Sequence, residues 1–346
     1  MKSAWFGSAA AGLLALVGLV SVVGGGGCEE KKPAVTTKGG DAKASPRTGS
    51  RKMTIGVIAK SSTNPVFIAA HTGAMDACRD LSKKYNIEII CNWQTPVSED
   101  AQKQAQTVEQ LVAQGVHGIS ISCTDGTVLE GPINAAVEAG VPVVTFDSDS
   151  PGSQRMAYYG INDVECGKAV MRELAKAMGS GGVVAILSGS QTAPNLNARI
   201  DGVKQELEAL KDKGFTLKQV YYTKETANDA ANFVQQVQTS NPDIAGWAMV
   251  GGWPLFTKNA LDNVPAKVVS VDTLPEELEY VKSGKVQALI GQDCYGWGYE
   301  SVRMLVEKLV EGKTPEKVIN NFELSVVTPQ NVAEYEGLWD KWLGKK

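Results

Sequence analysis

The sequence predicts an α/β protein made of two doubly wound parallel-sheet lobes. From Met53 onward, short runs of β-branched and other apolar residues alternate with longer segments of helical periodicity. Strands that are continuously apolar belong to parallel sheets covered by helices on both faces. The strand candidates outnumber those of one compact sheet, and a turn at 149–155 falls midway along them. A closed (β/α)₈ barrel is the alternative, and more than eight strand candidates count against it.

The first series of apolar runs predicts strands at 53–59, 87–91, 118–122 and 141–146. Helices are predicted between them, beginning near Pro65, Ser98 and Thr127, where helical periodicity starts. Proline is favoured at the first position of a helix, and asparagine is a common cap, so Asn64 and Pro65 together indicate a helix start.

The second series predicts strands at 157–161, 182–187, 217–222, 244–250, 267–271 and 286–291. Helices are predicted to begin near Val164, Asn195, Ala227, Leu255 and Pro275. After the last strand come a helix at 298–310, a short segment at 321–327 and a helix at 329–343. In a two-lobed protein these last elements complete one lobe or cross back between the lobes.

The N-terminus has the layout of an export signal over residues 1–28. Lys2 precedes an apolar run at 9–23, and small residues lead to Cys28. The segment resembles the lipobox of bacterial lipoproteins, in which the cysteine is acylated, although Gly25 stands where a large aliphatic residue is usual. An uncleaved membrane anchor is the alternative. The polar stretch 29–52 is predicted to be a disordered linker, because it has too few large apolar residues to fold.

Composition and motifs exclude several functions. A formal charge of -4 gives no basic excess for binding nucleic acid. The chain has none of the motifs GxSxG, HExxH and GxxxxGK[ST], and its two histidines have no evident nucleophile beside them. Asp147 and Asp149 are too close in sequence to flank a glycosidic bond, which needs carboxylates ~5 Å or more apart. We therefore predict no enzyme activity, no metal and no cofactor.

The cysteines match no zinc motif. If Cys28 is acylated, five cysteines remain: Cys78, Cys91, Cys123, Cys166 and Cys294. Most of them are predicted to be buried free thiols, and one disulfide among them is possible.

Polar and aromatic side chains follow the predicted strands. Ligands of open parallel sheets bind outside the carboxyl ends of the strands. The candidates at these ends are Lys60, Asn64, Phe67, Trp93, Asp125, Asp147, Asp149, Gln191, Asn195, Asn197, Glu225, Gly251, Trp253, Asp272 and Gln292. Carboxylates, carboxamides and aromatic rings suit a neutral polyhydroxylated ligand, because they bind hydroxyls and cover the C–H face of a sugar ring. Asp147 is predicted to accept hydrogen bonds from sugar hydroxyls.

Some of these side chains have a structural interpretation as well. Asp149 can cap a turn before Pro151 and Gly152. Arg199, inside a helical stretch, favours a structural ion pair. Three aromatic residues are assigned to the core rather than to ligand stacking: Phe146, Trp247 and Trp297.

Five short motifs together resemble the sugar-binding proteins of ABC transporters typified by the ribose-binding protein, with the type 1 periplasmic binding fold. They are "NPVF" with Asn64 and Phe67, "PVVTFDSD" with Asp147, "NLNARIDGV" with Asn197, "VVSVD" with Asp272 and "ALIGQD" with Gln292. The resemblance implies that these residues bind the ligand. Ser148 and Asn197 stand where ribose binders carry arginine, and Glu225 and the turn from Gly251 to Trp253 occupy further contact positions. "DSDSPGSQRMAYYG" and Lys60 resemble rhamnose and autoinducer-2 binders.

The resemblance covers about 53–327 and implies lobes that exchange chain at a hinge. The first lobe is expected at 53–160 plus 294–322, and the second at 161–293 plus 323–346. The implied function is a monomeric extracytoplasmic lipoprotein that captures a pentose, hexose or deoxyhexose and delivers it to an ABC permease. The alternative is a receptor for a sugar or an autoinducer-2-type ligand that signals to a chemoreceptor or sensor kinase. A transcription regulator of the lactose-repressor type shares the fold, but the export signal and linker occupy the place of its DNA-binding helices.

Overall fold

The computed structural model describes residues 52–343. The export signal, Cys28 and nearly all of the predicted linker lie outside the described residues. The first half contains β1 (Lys52–Ile58), α1 (Val66–Tyr85), β2 (Glu88–Trp93), α2 (Ala101–Ala113), β3 (Gly118–Ile121), α3 (Glu130–Glu138), β4 (Val143–Phe146), β5 (Ala157–Gly160), α4 (Asp163–Met178) and β6 (Gly182–Ser188). It is followed by α5 (Pro194–Ala209), β7 (Phe215–Tyr222), α6 (Ala227–Ser240), β8 (Ile244–Met249), β9 (Lys267–Val271), α7 (Pro275–Lys282), β10 (Ala288–Gly291), α8 (Cys294–Glu311), β11 (Ile319–Asn321), β12 (Ser325–Val327) and α9 (Glu336–Trp342).

The strands form two six-stranded sheets, and the predicted two-lobed α/β fold is confirmed. The first sheet has the order β11-β5-β4-β3-β1-β2 and is parallel throughout. The second has the order β12-β10-β9-β8-β6-β7 and is parallel except for β12, which runs antiparallel to β10. The two orders correspond position by position, so β4 and β9 hold equivalent places in their lobes. Every residue of β3 and β4 is buried, as expected for strands covered on both faces.

Within the described residues, the chain crosses between the lobes three times: after β5, after β10 and between β11 and β12. Helix α8 and strand β11 thereby return to the first lobe. Helix α9 contacts both lobes, whereas the sequence placed all of 323–346 in the second. Trp339 and Trp342 pack into the core of the first lobe, while the Trp339 indole N–H donates to Thr273 Oγ1 of the second lobe.

Glycines allow one close pair of helices in each lobe. A methyl group at Gly73 of α1 or Gly298 of α8 would overlap the backbone of the other helix. Gly202 of α5 and Gly167 of α4 form the equivalent contact in the second lobe. These contacts fix the positions of α1 and α5, whose N-terminal ends face the cleft between the lobes.

Three predicted helices differ in extent. The one expected near Leu255 is only a short 3₁₀ turn, Trp253–Phe256, because the following backbone at Thr257 is extended. The one expected at 329–343 is interrupted, with a 3₁₀ turn at Val332–Glu334 before α9. The one expected at 298–310 begins earlier, at Cys294, where the Asp293 side chain caps it by accepting from Gly296 N.

Two further observations concern the described residues. No helix among them combines the length and the apolar character that crossing a membrane requires. All five cysteines within 52–343 are free thiols, and the thiol of Cys78 on α1 contacts that of Cys91 on β2 through a hydrogen bond.

Candidate functional site

Side chains from both lobes meet at the carboxyl ends of the central strands and enclose an inner cavity of about 20 Å³. Ten of the strand-end candidates line it: Lys60, Asn64, Phe67, Asp147, Asn195, Glu225, Gly251, Trp253, Asp272 and Gln292. The other lining residues are Val66, Leu196, Arg199 and Trp297. The strand-end argument therefore brings most of the predicted residues to one place.

Two carboxylates occupy equivalent positions in the two lobes. Asp147 directly follows β4 and Asp272 directly follows β9. Both have left-handed backbones, with φ of 57° and 82°, which is uncommon for residues other than glycine. Each backbone N–H still bonds to the neighbouring strand, Asp147 to Tyr159 O and Asp272 to Ile290 O. Such backbone strain concentrates at functional sites, which marks these two aspartates as candidates.

Asp147 lies where the lobes touch. Ser122 Oγ donates to its Oδ2 at 2.7 Å from the same lobe, and Asn195 Nδ2 donates to its Oδ1 at 3.1 Å from the other lobe. The Lys60 ammonium lies 3.8 Å from Oδ2. The carboxylate is therefore held by its own lobe and also binds the first turn of α5.

Arg199 organises the second-lobe side of the cavity. Its guanidinium donates to Asp163 Oδ1 at 2.8 Å and to Gln292 Oε1 at 2.9 Å, and Gln292 Nε2 donates to Asp272 Oδ1 at 2.7 Å. The structural ion pair expected for Arg199 is confirmed, but the same side chain also lines the cavity. Burial raises the pKa of Asp163 to about 7 despite the opposing attraction of Arg199. Burial raises the pKa of Asp272 as well, again against Arg199.

Asn197 does not reach this cluster. Its side chain donates to Gln191 O at 2.9 Å. Asn195 and Arg199 are four residues apart and share one face of α5, whereas a residue two positions away points elsewhere. The side chains of α5 at the cavity are thus Asn195 and Arg199, together with Leu196.

Trp93 and Ser148 also lie outside the cavity lining. Trp93 ends β2, the edge strand of its sheet, and packs edge-on against His71 with ring centroids 4.8 Å apart. Ser148 is fully buried, and its carbonyl accepts from Cys123 N. Neither residue is part of the lining of the inner cavity, so a ligand contact for either one stays a prediction.

The two remaining candidate aspartates of the first lobe, Asp149 and Asp125, have structural contacts. Asp149 forms a two-point ion pair with Arg155 and accepts from Thr145 Oγ1 at 2.6 Å, so it is not part of the cavity. Asp125 accepts from Thr127 N at 2.9 Å and from Val128 N at 3.0 Å, which stabilises the turn before α3.

Aromatic rings form the apolar side of the cavity. Phe67 and Trp297 lie with ring centroids 6.0 Å apart and planes inclined by 40°. Trp297 is 1% exposed and belongs to the core of the first lobe, as predicted, yet one part of it lines the cavity. The Trp253 ring packs so closely on Gly251 that any side chain there would overlap it.

An outer pocket of about 480 Å³ adjoins the inner cavity and shares Asn64 and Glu225 with it. Its lining is rich in hydroxyl groups: Ser61, Thr63, Ser98, Thr124, Ser190, Thr192, Thr223 and Thr226. Three carboxylates also line it: Glu99, Asp125 and Glu225. The outer pocket therefore offers many hydroxyl and carboxylate groups to a ligand.

Glu99 is a site residue that the strand-end rule misses. Burial raises its pKa to about 8; Lys60 opposes this shift, and Glu225 reinforces it. Lys60 lies 3.8 Å from Glu99 Oε1. Burial alone would lower the pKa of Lys60, but Glu99, Asp147 and Glu225 together raise it above its usual value. Lys60 is therefore a protonated, buried cation between carboxylates. Within residues 52–343, no cluster of histidine, cysteine or carboxylate side chains fits a metal ion.

A profile of the periplasmic binding protein domain matches residues 55–314, and the chain belongs to that family. The resemblance drawn from the sequence motifs is thereby confirmed.

Among individual relatives, the ribose import binding protein RbsB of Salmonella typhimurium is 25% identical over 266 residues, covering 76% of this chain and 86% of RbsB. The xylose/arabinose-binding protein XylF of Sulfolobus acidocaldarius is 25% identical over 259 residues, covering 68% of this chain and 61% of XylF. A solute-binding protein of an ABC transporter from Burkholderia graminis, solved in complex with D-arabinose, superposes with a TM-score of 0.76 at 26% identity over 83% of this chain and 99% of that one. These relatives are binding proteins, which confirms the prediction of a protein that is not an enzyme.

Proposed function

We propose that this protein is an extracytoplasmic solute-binding protein that captures a monosaccharide-sized sugar between its lobes and delivers it to an ABC permease. The observation that carries the proposal is the set of carboxylates, carboxamides and aromatic rings contributed by both lobes at the strand ends. The named relatives, which bind ribose, xylose, arabinose or D-arabinose, support the same class of ligand.

Each type of group has a role toward such a ligand. Asp147 and Asp272 accept hydrogen bonds from sugar hydroxyls, and a single carboxylate can serve two adjacent hydroxyls. Asn64, Asn195 and Gln292 both donate and accept. Phe67, Trp253 and Trp297 cover the apolar face of the ring. The proposed ligand contacts also include Lys60, Glu225 and Gly251 from the sequence prediction. Trp93, Ser148 and Asn197 stay predictions without a supporting contact to the cavity.

Capture requires the lobes to move. The inner cavity of about 20 Å³ has room for about one water molecule, whereas pockets that enclose small ligands measure about 300–1,000 Å³. The three chain crossings between the lobes provide the hinge, and closure around the sugar creates the surface that a permease recognises. We propose further that the protein is a monomer, and that an acylated Cys28 anchors it to the membrane through the linker at 29–52.

The first experiment is a thermal-shift screen of the chain from Glu29 onward against pentoses, hexoses and deoxyhexoses. A ligand that binds only the folded state raises the melting temperature by mass action. A shift with one sugar but not with its epimers would support the proposal and identify the ligand. The absence of a shift with every sugar would reject it.

A second candidate function is a receptor that presents its closed form to a chemoreceptor or sensor kinase. Lys60 favours it, because a lysine after the first strand resembles the autoinducer-2 binders, and here it lies in the cavity beside Asp147. Adding an autoinducer-2 preparation to the screen tests this ligand. Pull-down of a kinase rather than a permease by the ligand-bound protein would favour the second function.

A further inference from the structure

Two carboxylates from opposite lobes meet at the junction of the inner cavity and the outer pocket. Glu99 lies in the loop before α2 of the first lobe, and Glu225 lies in the loop after β7 of the second. Both side chains line the outer pocket, and Glu225 also lines the inner cavity. Glu225 also accepts from Ser190 N at 2.8 Å. In contrast, Glu99 Oε1 is inaccessible to solvent and has no hydrogen-bond partner.

The cations around this junction do not balance the carboxylates. Lys60 lies 3.8 Å from both Glu99 Oε1 and Asp147 Oδ2, too far for a direct hydrogen bond to either. Arg199 is engaged by Asp163 and Gln292 and adjoins Asp272. Five carboxylates therefore surround two buried cations: Glu99, Asp147, Asp163, Glu225 and Asp272. A third cation, the exposed Lys224, lines the outer pocket. Bringing two like charges together in a buried place is unfavourable unless a proton or a cation lies between them.

A neutral sugar supplies hydroxyl donors but no positive charge. An ammonium group supplies both, with three N–H donors and a full charge, and hydrogen bonds between charged groups are about twice as strong as neutral ones. The outer pocket of about 480 Å³ leaves room for a substituent that projects from the inner cavity toward Glu99 and Glu225.

We propose that the ligand is an aminated sugar or polyol whose ammonium group binds between Glu99 and Glu225 while its hydroxyls bind Asp147 and Asp272. This inference rests on the proposed sugar-binding function and narrows its ligand class. In this proposal Glu99 and Glu225 select a ligand that carries an amine over one that carries a hydroxyl at the same position.

The test is isothermal titration calorimetry of the chain from Glu29 onward with matched sets of ligands at neutral pH. Each set contains a neutral sugar, its amino counterpart and its N-acetylated counterpart. The neutral sugars of the three sets are glucose, galactose and mannose. We expect at least one amino sugar to bind about tenfold or more tightly than its neutral and acetylated partners, because only the amine carries the charge.

Two variants locate the effect. Glu99→Gln keeps the shape of the side chain but cannot become a carboxylate when the ammonium group binds, and we expect it to weaken binding of the amino sugar by about tenfold. Glu225→Gln repeats the test from the other lobe should Glu99→Gln fail to fold. Glu208→Gln is the matched control, because Glu208 is exposed on α5 and pairs only with Lys211. It should leave the affinity for the amino sugar unchanged.

The outcomes separate this inference from the proposed function. Equal or tighter binding of the neutral sugar in every set overturns the inference and leaves the sugar-binding proposal standing. A neutral sugar whose affinity rises as the pH falls would likewise overturn the inference and leave the sugar-binding proposal standing, because a proton would then take the place of the ammonium group. Unchanged amine affinity in both glutamine variants also overturns it. Failure of all sugars, aminated or not, to bind rejects both proposals.

Discussion

Replacement of Asp147 by asparagine isolates the charge of the residue at the centre of the site. The backbone there is left-handed, with φ of 57°, and asparagine tolerates this conformation better than alanine does. The substituted side chain would keep one carbonyl oxygen, whereas two groups donate to the two oxygens of Asp147, Ser122 Oγ and Asn195 Nδ2. The introduced amide NH₂ would face one of these donors, and Lys60 would keep Glu99 as its nearest anion.

The expected loss of ligand affinity follows from the loss of a charged acceptor. Hydrogen bonds to charged groups contribute about 1.5–3 kcal/mol each. We therefore expect Asp147→Asn to weaken binding of the sugar by about 2 kcal/mol, which is roughly 30-fold in Kd. The free energy of unfolding should fall as well, because the buried Lys60 ammonium loses the negative charge of Asp147, which lies 3.8 Å away.

The assay is isothermal titration calorimetry with the sugar identified by thermal shift, together with urea unfolding of the same samples. Asp149→Asn is the matched control. Asp149 lies two residues further on, pairs with Arg155 and does not line the cavity, so its replacement should cost stability without changing Kd. Wild-type affinity in Asp147→Asn, or equal losses of affinity in both variants, would refute the assignment of Asp147 to the ligand.

Three further predictions concern packing, pH and thiols. Gly298→Ala places a methyl group against the Ala70 carbonyl of α1 and should lower the unfolding free energy by about 1–3 kcal/mol in urea titrations. Gly337 on α9 has open space around it, so Gly337→Ala should not be destabilising. Equal effects of the two substitutions would refute the close-contact argument. The raised pKa of Glu99, about 8 against an ordinary 4.5, means that its stabilising contribution is complete below about pH 4.5 and is lost as the pH rises toward about 8. Glu99→Gln should flatten the fall of the melting temperature over that range, and an unchanged profile would contradict this. Cys91 is the least buried described cysteine, and the hydrogen bond with Cys78 lowers its pKa. A thiol reagent should therefore label Cys91 first in the native protein. Labelling of Cys123, Cys166 or Cys294 at the same rate would count against the structure.

The strand-end rule located most of the site from the sequence because it needs only the order of strands and helices. Lys60, Asp147, Asp272 and Gln292 each follow an apolar run directly, and Glu225 comes three residues after β7. Parallel strands bring all such residues to one edge. The fold class followed from the same alternation of runs.

The residues that the sequence did not place depend on longer-range structure. Trp93 is the last residue of β2, and its ring packs against His71 and does not line the cavity, a contact that periodicity does not reveal. Asn197 was predicted from its place in the motif that resembles ribose binders, and Arg199 was assigned to an ion pair. In α5 it is Arg199, and not Asn197, that lines the cavity. Glu99 reaches the cleft because its loop folds back on the loop after β1, where Ser62 N donates to Pro96 O and Ser61 Oγ donates to Val97 O. No local pattern encodes that pairing.

Each half of the binding site is positioned largely by contacts within its own lobe. Asp147 and Asp272 are each positioned by the same left-handed turn at the end of the corresponding strand, and each carboxylate has a partner in its own lobe, Ser122 or Gln292. Between the lobes, Asn195 donates to Asp147, and Glu99 and Glu225 both line the outer pocket. Because few of these side chains need to be reordered when a ligand binds, we expect the affinity to be set mainly by the contacts of the ligand and by the charges at these two places.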